Sequence, residues 1–409
     1  MTRVHLCLNV PGSAFPGESP GVVAALECSA GELRIGANGL YLRQGDLLPV
    51  ALWIDDQRLM LDGAPPFEFR SFSGAQRQQS RTFFDWLCGR FDGLARLKPT
   101  GARWMPSIAA VERDDGRMSF FHLVQQGEPG AMFVLYRDEA LATGDGLAKQ
   151  LWCQTPGHAE RLDTLRPALG DECWYTKWRP EIEMERKFTF AGIPDTWALL
   201  HALHAGIAGS GESGFVPELD REIQVWDYEQ HIFEVLGGNA ESGYIAYIPQ
   251  ADGLMTVKRK WFVENCEIRR ESLWVEKTLR LQEIDSHVAT LTAERTRRLP
   301  SYRRKRFDAQ FESLQTGNIF GIYMDVCRTL DSRAAFSQCE IEYCRTRTFA
   351  EIRGVEADFE SFCGHVGAQL RSLGVPFQQD LYSKLDFVRS VADEALDQPY
   401  ARELRAEPA

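Results

Sequence analysis

From residue 181 onward, apolar and polar positions alternate with a period of two over several short runs, the signature of strands with one buried face. Residues 181–190 place Glu181, Glu183, Glu185 and Lys187 on one side, with Ile182, Met184 and Phe188 on the other. Further strand-like runs lie at 223–228, 243–248, 254–262, 266–274, 318–327 and 338–345. Pro194 and Asp195 suit a helix start and Gly206 its end, which predicts a helix over about 195–205. The polar segment 281–297 reads as helical. Val355, Phe359, Phe362, Val366, Leu370 and Leu373 mark one face of a helix ending at Gly374, and a last helix carries Leu381, Leu385 and Val388. Upstream, residues 1–165 read as short strands broken by Gly and Pro, among them 50–54 and 132–136, the second behind the turn signal Gly127-Glu-Pro-Gly130. One helix, at 79–91, interrupts them, and 157–175 mixes turn and helix signals. The expected organisation is an N-terminal β-rich α+β domain at 1–178, an antiparallel α+β domain at 179–395 and a tail at 396–409.

Composition narrows the class without naming the chemistry. With 409 residues, 44% hydrophobic and 25% charged, the chain can bury two cores and is not of disordered composition. A net charge of -12 argues against a general nucleic-acid or membrane-surface binder, so neither a DNA partner nor a membrane is expected. The basic residues are nonetheless clustered, at 258–270 and 295–306. Ten cysteines without a CxxC pair speak against a zinc ribbon or thioredoxin-like site. The sequence shows neither a secretory signal pattern nor an apolar run of spanning length, so a reduced, cytoplasmic protein is expected. Nothing selects monomer or dimer.

The candidate chemistry follows strand parity. Carboxylates stacked on one strand face repel one another and are costly to bury, and a divalent cation with oxygen ligands, Mg²⁺ or Mn²⁺, removes that cost. The pattern recurs in Glu340 and Glu342, opposite Ile341 and Tyr343, while Asp325 lies opposite Phe320, Ile322, Met324 and Val326. Thr256, Lys258 and Lys260 share a face, as do Arg269 and Glu271; in Arg303-Arg304-Lys305-Arg306 either parity is open. A single alternating strand is more often a solvated sheet face. Several acidic and basic strands within about 200 residues instead suggest a barrel with a charged lumen, acidic strands holding metal and basic strands holding phosphate oxygens.

Glu183-Met184-Glu185-Arg186-Lys187-Phe188 resembles the ExExK signature that opens the CYTH domains of the triphosphate tunnel metalloenzyme superfamily. In the same order, Lys258 resembles the family's mid-domain lysine strand, Arg269 with Glu271 its Arg-x-Glu strand, and Arg304 with Arg306 its next basic strand. Asp325 resembles a later acidic position, Glu340-Ile-Glu342 the closing Glu-x-Glu strand, and Ser383-Lys384 the Ser-Lys near the C-terminus. The likeness covers about 181–390. It implies an eight-stranded antiparallel tunnel-like β-barrel with flanking helices, taking a triphosphate-containing small molecule. Glu183, Glu185, Asp325, Glu340 and Glu342 would be metal ligands for Mg²⁺ or Mn²⁺, with Glu183, Glu185, Lys187 and Glu342 at the chemistry. Lys187, Lys258, Lys260, Arg269, Arg304, Arg306 and Lys384 would hold phosphates. The implied activity is triphosphate hydrolysis; the alternatives are a class IV-type adenylyl cyclase making cyclic AMP, or a non-catalytic triphosphate sensor. One departure stands out: where the family has a Leu-Arg-x-Arg strand, Gly243-Tyr-Ile-Ala-Tyr-Ile-Pro-Gln250 has no arginine.

Two other patterns carry less. Gly209-Ser-Gly211-Glu-Ser-Gly214 fits GxGxxG but follows a helix, so it reads as a loop rather than a dinucleotide turn. His201 and His204 sit three apart on a predicted helix with no third ligand placed, the usual state of surface or core histidines.

Overall fold

The computed structural model describes residues 2–9, 22–31, 33–54, 57–69, 81–97, 105–127, 130–140, 175–210, 213–219, 223–237, 242–261, 266–276, 278–331, 334–394 and 402–403. The stretch 157–174, the turn residues Glu128 and Pro129, Gly211 of the glycine-rich loop and all but two residues of the expected tail lie outside the described residues.

Among the described residues, nine strands before residue 141 form one antiparallel sheet: β1 (Thr2–Asn9), β2 (Val22–Ala30), β3 (Arg34–Ile35), β4 (Gly39–Arg43), β5 (Leu47–Ile54), β6 (Gln57–Met60), β7 (Met105–Glu112), β8 (Arg117–Gly127) and β9 (Gly130–Ala140). Their spatial order is β3-β4-β9-β8-β7-β1-β2-β5-β6. The helix Arg81–Arg90 covers one face, setting Phe83 and Leu87 among Leu6, Leu26, Leu52 and Phe133. The expected strands at 50–54 and 132–136 fall inside β5 and β9, and the expected helix at 79–91 is this one.

The second sheet contains β10 (Tyr175–Thr176), β11 (Ile182–Phe190), β12 (Phe215–Pro217), β13 (Gln224–Val235), β14 (Gly243–Pro249), β15 (Met255–Trp261) and β16 (Ile268–Glu276). It continues with β17 (Thr296–Arg298), β18 (Tyr302–Ser313), β19 (Asn318–Thr329), β20 (Ala334–Arg347), β21 (Phe377–Asp380) and β22 (Arg402–Glu403). Eight of these hydrogen-bond into a closed antiparallel ring, β11-β16-β15-β14-β13-β18-β19-β20 and back to β11. The chain is therefore α+β and mostly antiparallel.

Period-two alternation sorts the ring's side chains. On the outer face Phe188, Phe311, Phe320, Ile341 and Tyr343 pack under the helices Thr196–Gly209 and Val355–Ser372. Phe233, Ile245, Tyr247 and Val257 pack under the helix Ile284–Leu291. The inner face is apolar at one end, where Ile232, Tyr302, Cys327 and Phe336 receive Leu385, Phe387 and Val388 of the helix Lys384–Ala392. That helix fills one end of the ring, and its first residue delivers Lys384 to the charged middle. Among the described residues no helix is long and apolar enough to cross a membrane.

Four local expectations are corrected. Glu181 has φ 63° and precedes β11, so it does not share the face of Glu183 and Glu185. The helix begins after Asp195, whose side chain accepts from the Ala198 N–H, but it passes Gly206 and ends at Gly209. Gly206 is a packing position: a Cβ there would lie 2.8 Å from the Gln369 side chain. Of 281–297 only Leu281–Glu283 and Ile284–Leu291 are helical, because Thr296–Arg298 pairs with Phe233–Val235 of β13. Leu381 precedes the last helix, whose N-cap is Ser383.

The two sheets meet at Leu314, whose carbonyl accepts from the Asn38 N–H at 3.0 Å and the Gly39 N–H at 2.8 Å. A Cβ on Gly36 would lie 2.1 Å from that same carbonyl oxygen, so the approach needs glycine. Asn38 Nδ2 also donates to the Arg347 carbonyl at 3.0 Å, and Arg347 Nη2 donates to Gln125 at 2.9 Å.

Candidate active site

The inner face of the ring borders a cavity of about 740 Å³ whose walls include Glu183, Lys258, Lys260, Arg306, Glu340 and Glu342. Strand register brings them together. Glu185 lies opposite Glu342 and Lys187 opposite Glu340 across β11 and β20. Glu183 faces Arg269 on β16, Lys260 faces Glu271, and Arg306 faces Asp325.

Two subsites result. In the first, carboxylate oxygens of Glu183, Glu185 and Glu342 all lie within 4.8 Å of one another. Glu185 is buried and pairs with Lys187 and with Arg269 Nη1, the latter at 2.6 Å. Glu183 pairs with Lys260, which also approaches Glu271 at 3.4 Å, and Lys258 meets Glu271 at 2.7 Å. Glu342 approaches Arg306 at 3.7 Å and feels Lys260 and Lys258 at longer range. Burial and the neighbouring Glu185 push Glu183 up to about 8, while burial, Glu340 and Glu185 push Glu342 up to about 7. Burial opposes ionisation of Glu185 too, but Lys187, Lys260 and Arg269 outweigh it and hold its pKa well below the usual range. Three hard oxygen donors, two of them reluctant to ionise in one another's company, fit a divalent cation of the Mg²⁺ or Mn²⁺ type.

In the second subsite Asp325 and Glu340 are engaged by cations, and neither is among the three converging carboxylates. Arg306 donates to Asp325 at 2.9 and 3.0 Å and to Glu340 at 2.7 Å. Arg304 donates to Asp325 at 2.9 Å, to Glu340 at 3.1 Å and to the Tyr228 hydroxyl at 3.1 Å. Lys384 sits 2.9 Å from Asp325 and also pairs with Glu340. The parity left open in the 303–306 run is resolved by these bonds: Arg304 and Arg306 face in, while Arg303 is exposed and pairs with Asp227 at 2.6 Å. Arg306 also lies over the Tyr323 ring at 4.2 Å, and that ring occupies the space a side chain on Gly321 would fill, 2.4 Å from an ideal Cβ.

Lys187 pairs within the first subsite, and burial lowers its pKa. Lys260 is buried too, but Glu183 and Glu185 raise its pKa well above the ordinary value. The residues added by the structure are Tyr228, Tyr244 and Trp226, all at the cavity wall. Their signal was present in the alternation of β13 and β14, where even-numbered positions face inward. In the arginine-free strand β14 those positions are Tyr244, Ala246 and Ile248, and Tyr244 lies opposite Lys260.

No protein-family model matches this chain, and no curated protein matches it. Among solved structures it is similar to the PH1819 protein from Pyrococcus horikoshii, at 13% identity over 51% of this chain and 99% of that one, with a TM-score of 0.31. It is also similar to the S. pombe Pct1 RNA triphosphatase, at 9% identity over 47% of this chain and 81% of that one, with a TM-score of 0.21.

Proposed function

We propose that the chain binds a triphosphate together with a divalent cation inside the ring and hydrolyses it. The observation that carries this reading is the adjacency of two oppositely built subsites on one inner face: the Glu183–Glu185–Glu342 trio and the Arg304–Arg306–Lys384 cluster, at one cavity. Glu183, Glu185 and Glu342 would hold Mg²⁺ or Mn²⁺. When bound, such an ion neutralises phosphate oxygens and acidifies a coordinated water. Lys258, Lys260, Lys187 and Arg269 flank the trio and offset the charge of an arriving polyanion. Arg304, Arg306 and Lys384 orient the phosphate chain, and a guanidinium carries five N–H donors for it. Arg306 lines the cavity and uses Nε and Nη2 for Asp325 and Glu340, which would leave its Nη1 N–H groups for a phosphate oxygen. Asp325 and Glu340 hold these three cations in place as positioning residues. We read residues 1–178 as an accessory domain and 179–395 as the triphosphate domain.

A second reading, binding without turnover, is favoured by β14, whose inward positions offer a tyrosine, an alanine and an isoleucine in place of arginines. Product analysis separates the readings. The purified chain is incubated with inorganic triphosphate, ATP, GTP and thiamine triphosphate in Mg²⁺ or Mn²⁺, and products are identified by mass. Orthophosphate lost in Glu183→Gln is the expected result. Cyclic nucleotide with pyrophosphate would replace hydrolysis by the cyclase reaction, and binding without products would replace it by sensing.

A further inference from the structure

A second cavity, of about 810 Å³, lies away from the ring's inner face, between the N-terminal sheet and the outer helix Thr196–Gly209. The helix turns Trp197, His201, His204, Ala205 and Ala208 toward it, one face at helical spacing, and the two alanines keep that face open. Across the cleft stand Arg34 from β3 and Tyr41 and Arg43 from β4. Pro217, Leu219 and Ile223 add apolar surface. Arg34 Nη1 donates to the Ala208 carbonyl at 2.7 Å and ties the sheet to the last turn of the helix.

Among the described residues the charge here is one-sided. The cleft's lining includes Arg34 and Arg43, with His201 and His204 beside them, against one described carboxylate, Glu218. Glu218 is already committed: its oxygens accept from Arg345 at 2.8 and 3.0 Å and from Arg347 at 3.3 Å. In a chain of net charge -12, a cavity whose acid is neutralised from behind and whose front is cationic attracts anions. Its second character is flat and apolar. Trp197 lines the cleft, is 46% exposed and makes a T-shaped contact with Phe307 at 5.2 Å, so part of the indole surface is left for a ligand. The volume falls in the range of small-molecule sites.

We propose that this cleft binds a small organic anion, a planar apolar body carrying a terminal phosphate or carboxylate. The body lies against Trp197 and Ile223, and the anionic group sits between Arg43 and His201. The site is separate from the proposed triphosphate site and stands or falls without it. It also abuts Glu218, whose partners Arg345 and Arg347 belong to β20, the strand that carries Glu340 and Glu342.

The probe is phenyl phosphate, titrated calorimetrically into the full chain, with orthophosphate and benzoate as comparisons. Phenyl phosphate is expected to bind at least about tenfold more tightly than orthophosphate, an advantage that Trp197→Ala removes. Arg43→Ala and His201→Ala, both at exposed positions, should each weaken phenyl phosphate about tenfold, the scale of one charge-assisted hydrogen bond. Benzoate binding that the same two variants weaken would identify the shared terminal anion as the recognised group. Glu183→Gln should leave phenyl phosphate binding unchanged. Loss of binding in Glu183→Gln with none in Arg43→Ala would place the probe in the ring and overturn the proposal. So would equal affinity for phenyl phosphate and orthophosphate, or no heat from phenyl phosphate at millimolar concentration.

Discussion

At the scale of single residues, alternation did most of the work that sequence could do. Glu183, Glu185 and Lys187 share a face because a strand has period two, and that can be read without coordinates. What parity could not tell is which carboxylate faces which cation. Asp325 and Glu340 carry the same chemistry as Glu183 and Glu342, yet the register of β18, β19 and β20 sets them against Arg304 and Arg306. Glu181 failed for a local reason, its left-handed backbone. Glu312 gives a prediction at this scale that is independent of the active site. It is buried 3.4 Å from Arg347 and near Glu218, and burial pushes it from 4.5 up to about 7 despite the arginine. The folded state thus keeps a proton that the unfolded chain releases near pH 4.5. Its contribution to stability is fully present below that value and is lost as pH rises through about 7. Urea midpoints at pH 5 and pH 8 should show wild type losing on the order of 3 kcal/mol relative to Glu312→Gln, whose side chain does not titrate. Equal pH dependence in the two proteins would contradict this.

At the scale of elements, the helix Lys384–Ala392 links packing to chemistry. Its spacing was readable in Leu385 and Val388, but its place inside the end of the ring was not, since that depends on partners such as Tyr302 and Phe336 many residues away. Ser383 accepts from the Asp386 N–H and receives the reciprocal cap, which fixes the turn from which Lys384 projects. Ser383→Ala should cost about 1 kcal/mol in stability and raise the KM for triphosphate more than it lowers kcat. A kcat loss at unchanged KM would mean that the cap does not act through Lys384. The outer helix Val355–Ser372 is structural: Phe362 stacks on Phe320 and touches Phe215 and Phe311. Phe362→Ala should destabilise by about 3–5 kcal/mol in chemical denaturation, with substrate affinity retained in the folded fraction.

At the scale of the molecule, two sheets of different architecture are joined through a small set of buried groups. The alternation and turn signals foretold two β-rich segments, but not their junction, because Asn38, Gln125, Glu218 and Arg347 come from four distant parts of the chain. Arg347 is fully buried and holds Glu218, Glu312 and Gln125 together. Arg347→Ala should therefore destabilise by about 3–5 kcal/mol, because it strands buried carboxylates as well as removing a link. The second cavity escaped the sequence for the same reason, its histidines and arginines being more than 150 residues apart in number. The ring's chemistry rests on one claim, that Glu183, Glu185 and Glu342 together hold a divalent cation. Electron paramagnetic resonance of Mn²⁺ titrated into wild type, Glu183→Gln and Glu342→Gln tests it directly. One bound ion per wild-type chain is expected, with affinity falling about tenfold or more in each variant. Mn²⁺ bound equally well by all three proteins would contradict it.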